Sequence, residues 1–215
     1  MTDKPILFSG PMVRALLAGT KTQTRRTMNP QPELQGNGLY HVHNRAGGVV
    51  NVAEKDVGGH AVDYLRIAVG DRLYVREHWR TWEGYDAIAP RDLTPPVGLF
   101  CEADRKAGET VVAGKFRQGM HMPRWASRIT LTVTDVRVER LQGISEVDAL
   151  AEGIIQRGML YGLGGSGWYD PPTSAVAAYR NLWETINGPG AWAANPWVAA
   201  YTFTVQMGNI DKAPK

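Results

Sequence analysis

Residues 17–26 read LAGTKTQTRR, and they mark a change from helix to strand. Upstream, Pro11 suits a first helical position, and the apolar residues after it recur at spacings of three and four. Gly19 is typical of a helix C-terminus, because glycine adopts a left-handed conformation without steric cost. The threonine-rich segment 21–26 that follows has the composition of a strand.

Further strands and helices are predicted on both sides of this stretch. In the clearest strand, 128–140, apolar residues alternate with threonine, and Ser145 with Asp148 fits a capping box that starts a helix. Because strands and helices mix without regular order, the sequence predicts an α+β fold with its sheet curled into a barrel. The predicted strands are 6–8, 21–26, 72–77, 128–140 and 197–205, and the predicted helices begin near Pro11, Ser145 and Thr173.

Three segments rich in glycine or proline interrupt this pattern, at about residues 31–66, 83–117 and 156–172. We interpret them as loop insertions, with a hairpin around 49–50 and short strands near 97–100 and 110–113. Because the regular patterns come from both ends of the chain, they predict a single domain over residues 1–215.

The composition is that of a globular chain of 215 residues, 43% of them hydrophobic. The net charge of +3 permits a polyanionic partner without requiring one. The lone Cys101 cannot form an internal disulfide, and no stretch approaches the roughly 20 apolar residues of a membrane span. We therefore expect a cytoplasmic location and no membrane partner.

Several motifs resemble the ASCH domain, a member of the PUA-like superfamily. Residues 18–26 fit A-G-x-K-T-x-T-x-R, residues 70–77 fit G-D-x-L-x-V-x-E, and residues 144–153 fit I-S-x-x-x-A-x-x-E-G. Residues 195–203 look like the family's closing strand, and residues 122–129 resemble its phage and prophage members. The resemblance covers about half of the chain. It implies a PUA-like β-barrel flanked by short helices, with a cleft for a nucleobase or nucleic acid.

One group in this family, small amidohydrolases that remove the acetyl group from N-acetylcytidine, is similar at Lys21, Thr24 and Glu152. The resemblance implies that Lys21 takes the proton of the Thr24 hydroxyl, while Glu152 passes a proton to the leaving amine. A lysine acts as a base only when neutral, so burial or neighbouring cations would have to lower its pKa. In a regular strand Lys21 and Thr24 face opposite sides, and we expect a bulge or turn at 22–23. Without the resemblance, these residue types are also those of an ordinary surface strand.

A second set of residues, basic and aromatic, is predicted to bind a base or phosphates. Clustered arginines would position a phosphate backbone, and tryptophans in a cleft would stack on bases. The alternative is a scattered basic surface. Glu77 continues the apolar face of its strand, where a carboxylate must be paired; an arginine such as Arg26 would make it structural rather than a ligand. The set comprises Arg25, Arg26, Arg76, Glu77, Trp79, Arg124, Trp125 and Arg128.

The histidines are too scattered for a zinc site, and no Walker loop is present, so the sequence predicts no metal and no cofactor. Three functions remain open. The first is an amidohydrolase acting on an acylated cytidine or its base, which the triad motif favours. The second is a non-catalytic module that binds a modified base or single-stranded RNA or DNA. The third is a metal-independent ribonuclease, which other ASCH proteins resemble.

Overall fold

A computed structural model describes residues 3–44, 47–105, 113–163 and 173–212. Strands outnumber helices, and short 3-10 helices fill several connections. The helices are α1 (Gly10–Leu17), α2 (Val57–Ala61), α3 (Glu146–Ala151) and α4 (Ala175–Asn187). The strands are β1 (Asp3–Leu7), β2 (Gln23–Thr27), β3 (Glu33–Leu34), β4 (Tyr40–His43), β5 (Val49–Val52), β6 (Arg72–Arg76), β7 (Trp79–Arg80), β8 (Phe100–Cys101), β9 (Ile129–Arg140), β10 (Ile154–Arg157), β11 (Leu160–Leu163) and β12 (Trp197–Met207).

The largest sheet has the strand order β1-β6-β9-β12-β2. β1 runs parallel to β6, and β6 runs antiparallel to β9 with Leu73 opposite Leu131. β12 runs antiparallel to β2 with Tyr201 opposite Thr24. The α+β class is thus confirmed. The order begins and ends on different strands, so the described residues form no closed barrel.

The chain divides into two compact units, each built from discontinuous segments. Unit 1 comprises the residues up to Gly19, Gly70–Thr132 and the residues from Thr204 onward. Unit 2 comprises Thr20–Val69 and Val133–Phe203, so that β9 and β12 each contribute residues to both units. This division does not test the single-domain prediction, which stays a prediction. Unit 1 has an apolar cluster of Trp79, Leu93, Met122 and Ala126, and unit 2 has one that includes Leu141, Ile144, Ala149, Ile154, Tyr179, Trp183 and Val198.

The predicted ends of α1 and α3 are confirmed, and each has the expected capping residue. A proline lies in the first turn of α1, and Gly19 follows it at φ +71°. The side-chain oxygen of Ser145 accepts a hydrogen bond from the Asp148 N–H at 3.1 Å, which satisfies a free donor at the start of α3. Gly153, at φ +97°, ends the α3 turn. The local sequence thus determines where α3 stops and where Glu152 lies.

The predicted loop insertions contain more regular structure than expected. Within 31–66, β3, β4 and β5 form an antiparallel sheet, which confirms the hairpin at 49–50 but adds strands that were not predicted. Of the short strand predicted near 97–100, only Phe100 lies in a strand, β8, which pairs with β7. The loop predicted over 156–172 is wrong at its start, where β10 and β11 form a hairpin. Strands this short are stabilised by their partners and show little pattern of their own. Residues 110–112 and 164–172 lie outside the described residues.

Candidate functional site

Lys21 and Glu152 form a buried ion pair in unit 2, although 131 residues separate them in the chain. The Lys21 Nζ donates to the Glu152 Oε2 at 2.7 Å and to the Glu152 backbone oxygen at 2.8 Å. Their side chains are 0% and 2% exposed. A backbone bridge joins the two residues, and the Thr22 N–H bonds the oxygen of Ala151 beside it. The segment before β2 is therefore attached to the end of α3.

Thr24 belongs to the same polar cluster. Its side chain is buried in β2, and Arg26 Nη1 donates to its Oγ1 at 2.8 Å. A guanidinium can only donate, so the hydroxyl accepts this bond and keeps its own proton for another acceptor. The backbone N–H of Arg25, next to Thr24, donates to the Glu152 Oε1 at 2.6 Å. Glu152 thus contacts both Lys21 and the strand that carries Thr24.

The bulge or turn expected at 22–23 stays a prediction, although the strand itself starts later than expected. β2 begins only at Gln23, so Lys21 lies before the strand, in the bridge to Glu152. Thr22 is exposed, whereas Lys21, Gln23 and Thr24 are all buried. Strict strand alternation would place Lys21 and Thr24 on opposite faces. Gln23, Thr24 and Arg25 are consecutive and all buried, so both faces of β2 are covered, and Lys21 and Thr24 are buried whichever faces they occupy.

Burial governs the electrostatics of this cluster. It lowers the pKa of Lys21, because the charged ammonium loses its water; the charge of Glu152 opposes this shift, and those of Arg26 and Arg25 add to it. Burial also raises the pKa of Tyr179 well above its usual range, so this phenol stays protonated. Its hydroxyl lies 3.4 Å from the Glu152 Oε1 and donates to it.

Arg25, predicted to bind a base or phosphate, is instead 2% exposed and paired within unit 2. Its Nη2 donates to Glu139 at 2.6 Å and to Asp148 at 3.0 Å, and its Nη1 donates to Gln23 at 2.5 Å. Burial disfavours the charged Asp148, but hydrogen bonds and the charges of nearby arginines still hold its pKa below the usual value. Arg25 therefore forms ion pairs within unit 2, with Glu139 and Asp148.

Glu77 has the arginine partner that its burial requires, and that partner is Arg128 rather than Arg26. Arg128 Nε donates to Oε1 at 2.8 Å and its Nη2 to Oε2 at 3.0 Å, while its other donors reach Asp104. Burial, with the charge of Glu77, raises the pKa of the neighbouring Cys101 to about 12. The buried carboxylate of Glu77 is therefore paired within unit 1, its role as a ligand stays a prediction, and the Cys101 thiol stays protonated.

The other predicted binding residues of unit 1 are also largely engaged within it. Trp79 is fully buried, with the guanidinium carbon of Arg117 5.3 Å from its ring centre, so its ring faces no solvent. Trp125 is half-buried and donates to the oxygen of Leu93 at 3.1 Å. Arg124 pairs with two carboxylates, those of Asp3 and Asp211, at 2.5 and 2.6 Å.

Arg76 differs, because it lines a cavity of about 430 Å³ in unit 1 and, among the described residues, its guanidinium contacts a backbone oxygen and a phenol rather than a carboxylate. Sequence reasoning identified only Arg76 of this lining. The other residues come from the second predicted insertion and from segment 120–123, and no periodic pattern links them. The cavity is lined by Arg76, Ala89, Pro90, Arg91, Met120, His121, Met122 and Pro123.

No family model, curated protein or solved structure matches this chain. Within the described ranges, no group of three or more His, Cys, Asp or Glu side chains could hold a metal ion. In the same part of the chain, no helix is long and apolar enough to cross a membrane.

Proposed function

We propose that this chain is an ASCH-type amidohydrolase, of PUA-like architecture, that removes the acyl group from an acylated cytidine or cytosine. The observation that carries the proposal is the 2.7 Å contact between Lys21 Nζ and Glu152 Oε2, with the buried Thr24 directly before Arg25, whose backbone N–H also bonds Glu152. A Lys-Thr-Glu triad requires these three residues to converge from distant parts of the sequence. Their solvent-free surroundings lower the pKa of the Lys21 ammonium, as its role as a base requires.

In this mechanism neutral Lys21 takes the proton of the Thr24 hydroxyl, and the oxygen attacks the amide carbonyl carbon. Arg26 Nη1, 2.8 Å from the Thr24 Oγ1, favours loss of the hydroxyl proton, and the negative charge moves to the carbonyl oxygen as the carbon–oxygen bond forms. The carbon–nitrogen bond then breaks, and the proton passes from Lys21 through Glu152 to the leaving amine. Water hydrolyses the acyl ester on Thr24, which releases the carboxylic acid and restores the hydroxyl.

Substrate access requires a local movement, because the Thr24 side chain is 0% exposed. A reacting carbonyl carbon must approach the attacking oxygen to about 3–3.5 Å. Arg26 is partly exposed and bonds the hydroxyl directly. We expect entry beside Thr24 through a change in the Arg26 side chain.

The test is an assay of the full chain for release of cytidine and acetate from N-acetylcytidine, with other acylated cytidines in parallel. Thr24→Val keeps the shape of the buried side chain and removes the nucleophile, so we expect turnover to fall by at least ~100-fold. Thr22→Val, at an exposed neighbouring threonine, is the matched control and should keep full activity. Failure of the unmodified chain to hydrolyse every acylated cytidine, or full activity in Thr24→Val, would contradict the proposal.

A non-catalytic binding module is the second candidate, and the complete burial of Lys21, Thr24 and Glu152 favours it. Such a module would bind a modified base or a single strand, with affinity that falls as salt rises, because bound phosphates release counterions. Titrating labelled RNA and DNA strands at low and high salt measures this. Affinity that ignores salt, or no binding at all, counts against it, and cleavage of the RNA strand would instead indicate a ribonuclease.

A further inference from the structure

We propose that the cavity of unit 1 binds a small organic phosphate. All of its lining residues belong to Gly70–Thr132, whereas Lys21, Thr24 and Glu152 belong to unit 2. The inference therefore goes beyond the proposed amidohydrolase and does not rest on it. Its volume of about 430 Å³ lies within the roughly 300–1,000 Å³ range of small-molecule sites.

Arg76 is the first reason for an anion. Its Nη1 donates to the oxygen of Met120 at 3.0 Å, and its Nη2 lies 3.3 Å from the hydroxyl of Tyr74. Its buried Nε has no hydrogen-bond partner within the described residues. A guanidinium carries five N–H donors and cannot lose its charge in a protein, so this cation has donors to spare. A charge held between neutral groups favours an anionic ligand.

The charge balance around the cavity points the same way. Arg91 also lines it, with a side chain that is 88% exposed and meets Asp92 only at 3.8 Å, in an ion pair too exposed to hold it firmly. His121 adds a ring with an N–H donor. No acidic side chain is among the described lining residues. This contrasts with Arg124, whose charge is met by two carboxylates.

The rest of the lining is apolar and suits the organic part of such a ligand. Met120, Met122, Pro90 and Pro123 contribute side chains without charge, and methionine adapts readily to different shapes. Two arginines that approach one anion match the charge and the several acceptor oxygens of a phosphate monoester. A phosphate attached to a ring or chain therefore fits this cavity better than a free carboxylate or a neutral molecule.

Phenyl phosphate is the probe, with phenol as its uncharged counterpart and inorganic phosphate as competitor. The readout is NMR of the full chain labelled with ¹³C at the methionine methyl groups, because Met120 and Met122 line the cavity and Met159 of unit 2 does not. We expect phenyl phosphate to shift the Met120 and Met122 signals in a saturable way and to leave Met159 unchanged. Phenol should not bind at these concentrations, and inorganic phosphate should reverse the shifts.

Arg76→Gln removes the proposed anion partner and should weaken binding by about 10- to 100-fold, as expected for hydrogen bonds to a charged group. Arg66→Gln removes the same charge at an exposed residue outside the cavity and should leave the affinity unchanged. Arg91→Gln provides a second test at an exposed side chain, should Arg76→Gln fail to fold. Equal binding of phenol, no competition by phosphate, or unchanged affinity in both cavity variants would overturn the proposal. None of these three outcomes depends on hydrolysis of acylated cytidine.

Discussion

At the scale of single residues, Lys21 has the most unusual environment of the candidate site. Its ammonium is removed from water entirely and shares Glu152 with the backbone N–H of Arg25. A buried pair of this kind is a costly way to gain stability, because desolvation offsets much of the attraction between the charges. The proposed catalytic role gives this costly pair a function.

The pH dependence of turnover tests the state of Lys21. Because burial lowers its pKa, activity should rise with pH through a midpoint below 10.5 as the ammonium loses its proton. Lys21→Arg keeps the charge but cannot act as a base, so turnover should be lost at every pH. A pH profile of kcat/KM measures both. A Lys21→Arg protein that hydrolyses acylated cytidine would rule out the general-base role.

Removal of the Glu152 charge should strongly destabilise the fold. Glu152→Gln leaves the buried ammonium of Lys21 without its anion, and breaking one partner of a buried ion pair typically costs about 3–5 kcal/mol. Urea unfolding of the two proteins measures the difference in the free energy of unfolding. Glu33→Gln, at an exposed glutamate of unit 2, is the control and should change that free energy little. An equal loss of unfolding free energy in Glu152→Gln and Glu33→Gln would mean that the Lys21–Glu152 pair does not stabilise the fold more than an exposed glutamate does.

At the scale of elements, the sequence predicts best where a local signal fixes an end. Pro11 and Gly19 bound α1, Ser145 starts α3, and the long alternation over 128–140 becomes β9. It predicts poorly where a strand is stabilised by its partner, as in the β10–β11 hairpin. The candidate triad belongs to a third class. Its residues came from a resemblance, while the bridge between Lys21 and Glu152 spans 131 residues and no periodicity signals it.

The cap of α3 should contribute to both stability and function, since Glu152 follows directly after this helix. Ser145→Ala removes the acceptor for the Asp148 N–H and should cost about 1 kcal/mol of unfolding free energy. Ser145→Asp restores a capping oxygen and should recover that loss. Thermal or urea unfolding of the three proteins gives the comparison. If alanine and aspartate behave alike, the cap does not hold the helix end.

At the scale of the whole molecule, carboxylates paired with arginines should set the stability in acid. The pKa of Asp148 is held below 3.8, since hydrogen bonds and arginine charges outweigh its burial, and in unit 1 hydrogen bonds from Arg72 and Arg124 lower the pKa of Asp3. A lowered carboxylate pKa adds stability that is present above the unfolded value and is lost as pH falls through the folded one.

Urea unfolding between pH 7 and pH 2 should therefore show stability falling below about pH 4. Asp148→Asn should be less stable than the unmodified chain at pH 7, and the gap should narrow as the pH falls, because protonation removes the same charge. If the difference in unfolding free energy between Asp148→Asn and the unmodified chain stays constant down to pH 2, the arginine neighbours do not lower the pKa of Asp148.

The interleaving of segments in the two units has a consequence for synthesis on the ribosome. Unit 2 needs residues as far as Phe203, and unit 1 needs residues from Thr204 onward, so both depend on β12. An emerging chain can form α1 or the β4–β5 hairpin early, because these are local. Neither unit can close before β12 has left the exit tunnel. Until then the apolar strands that pair with β12 are exposed to chaperones. A chain that ends before residue 197 contains neither unit in full.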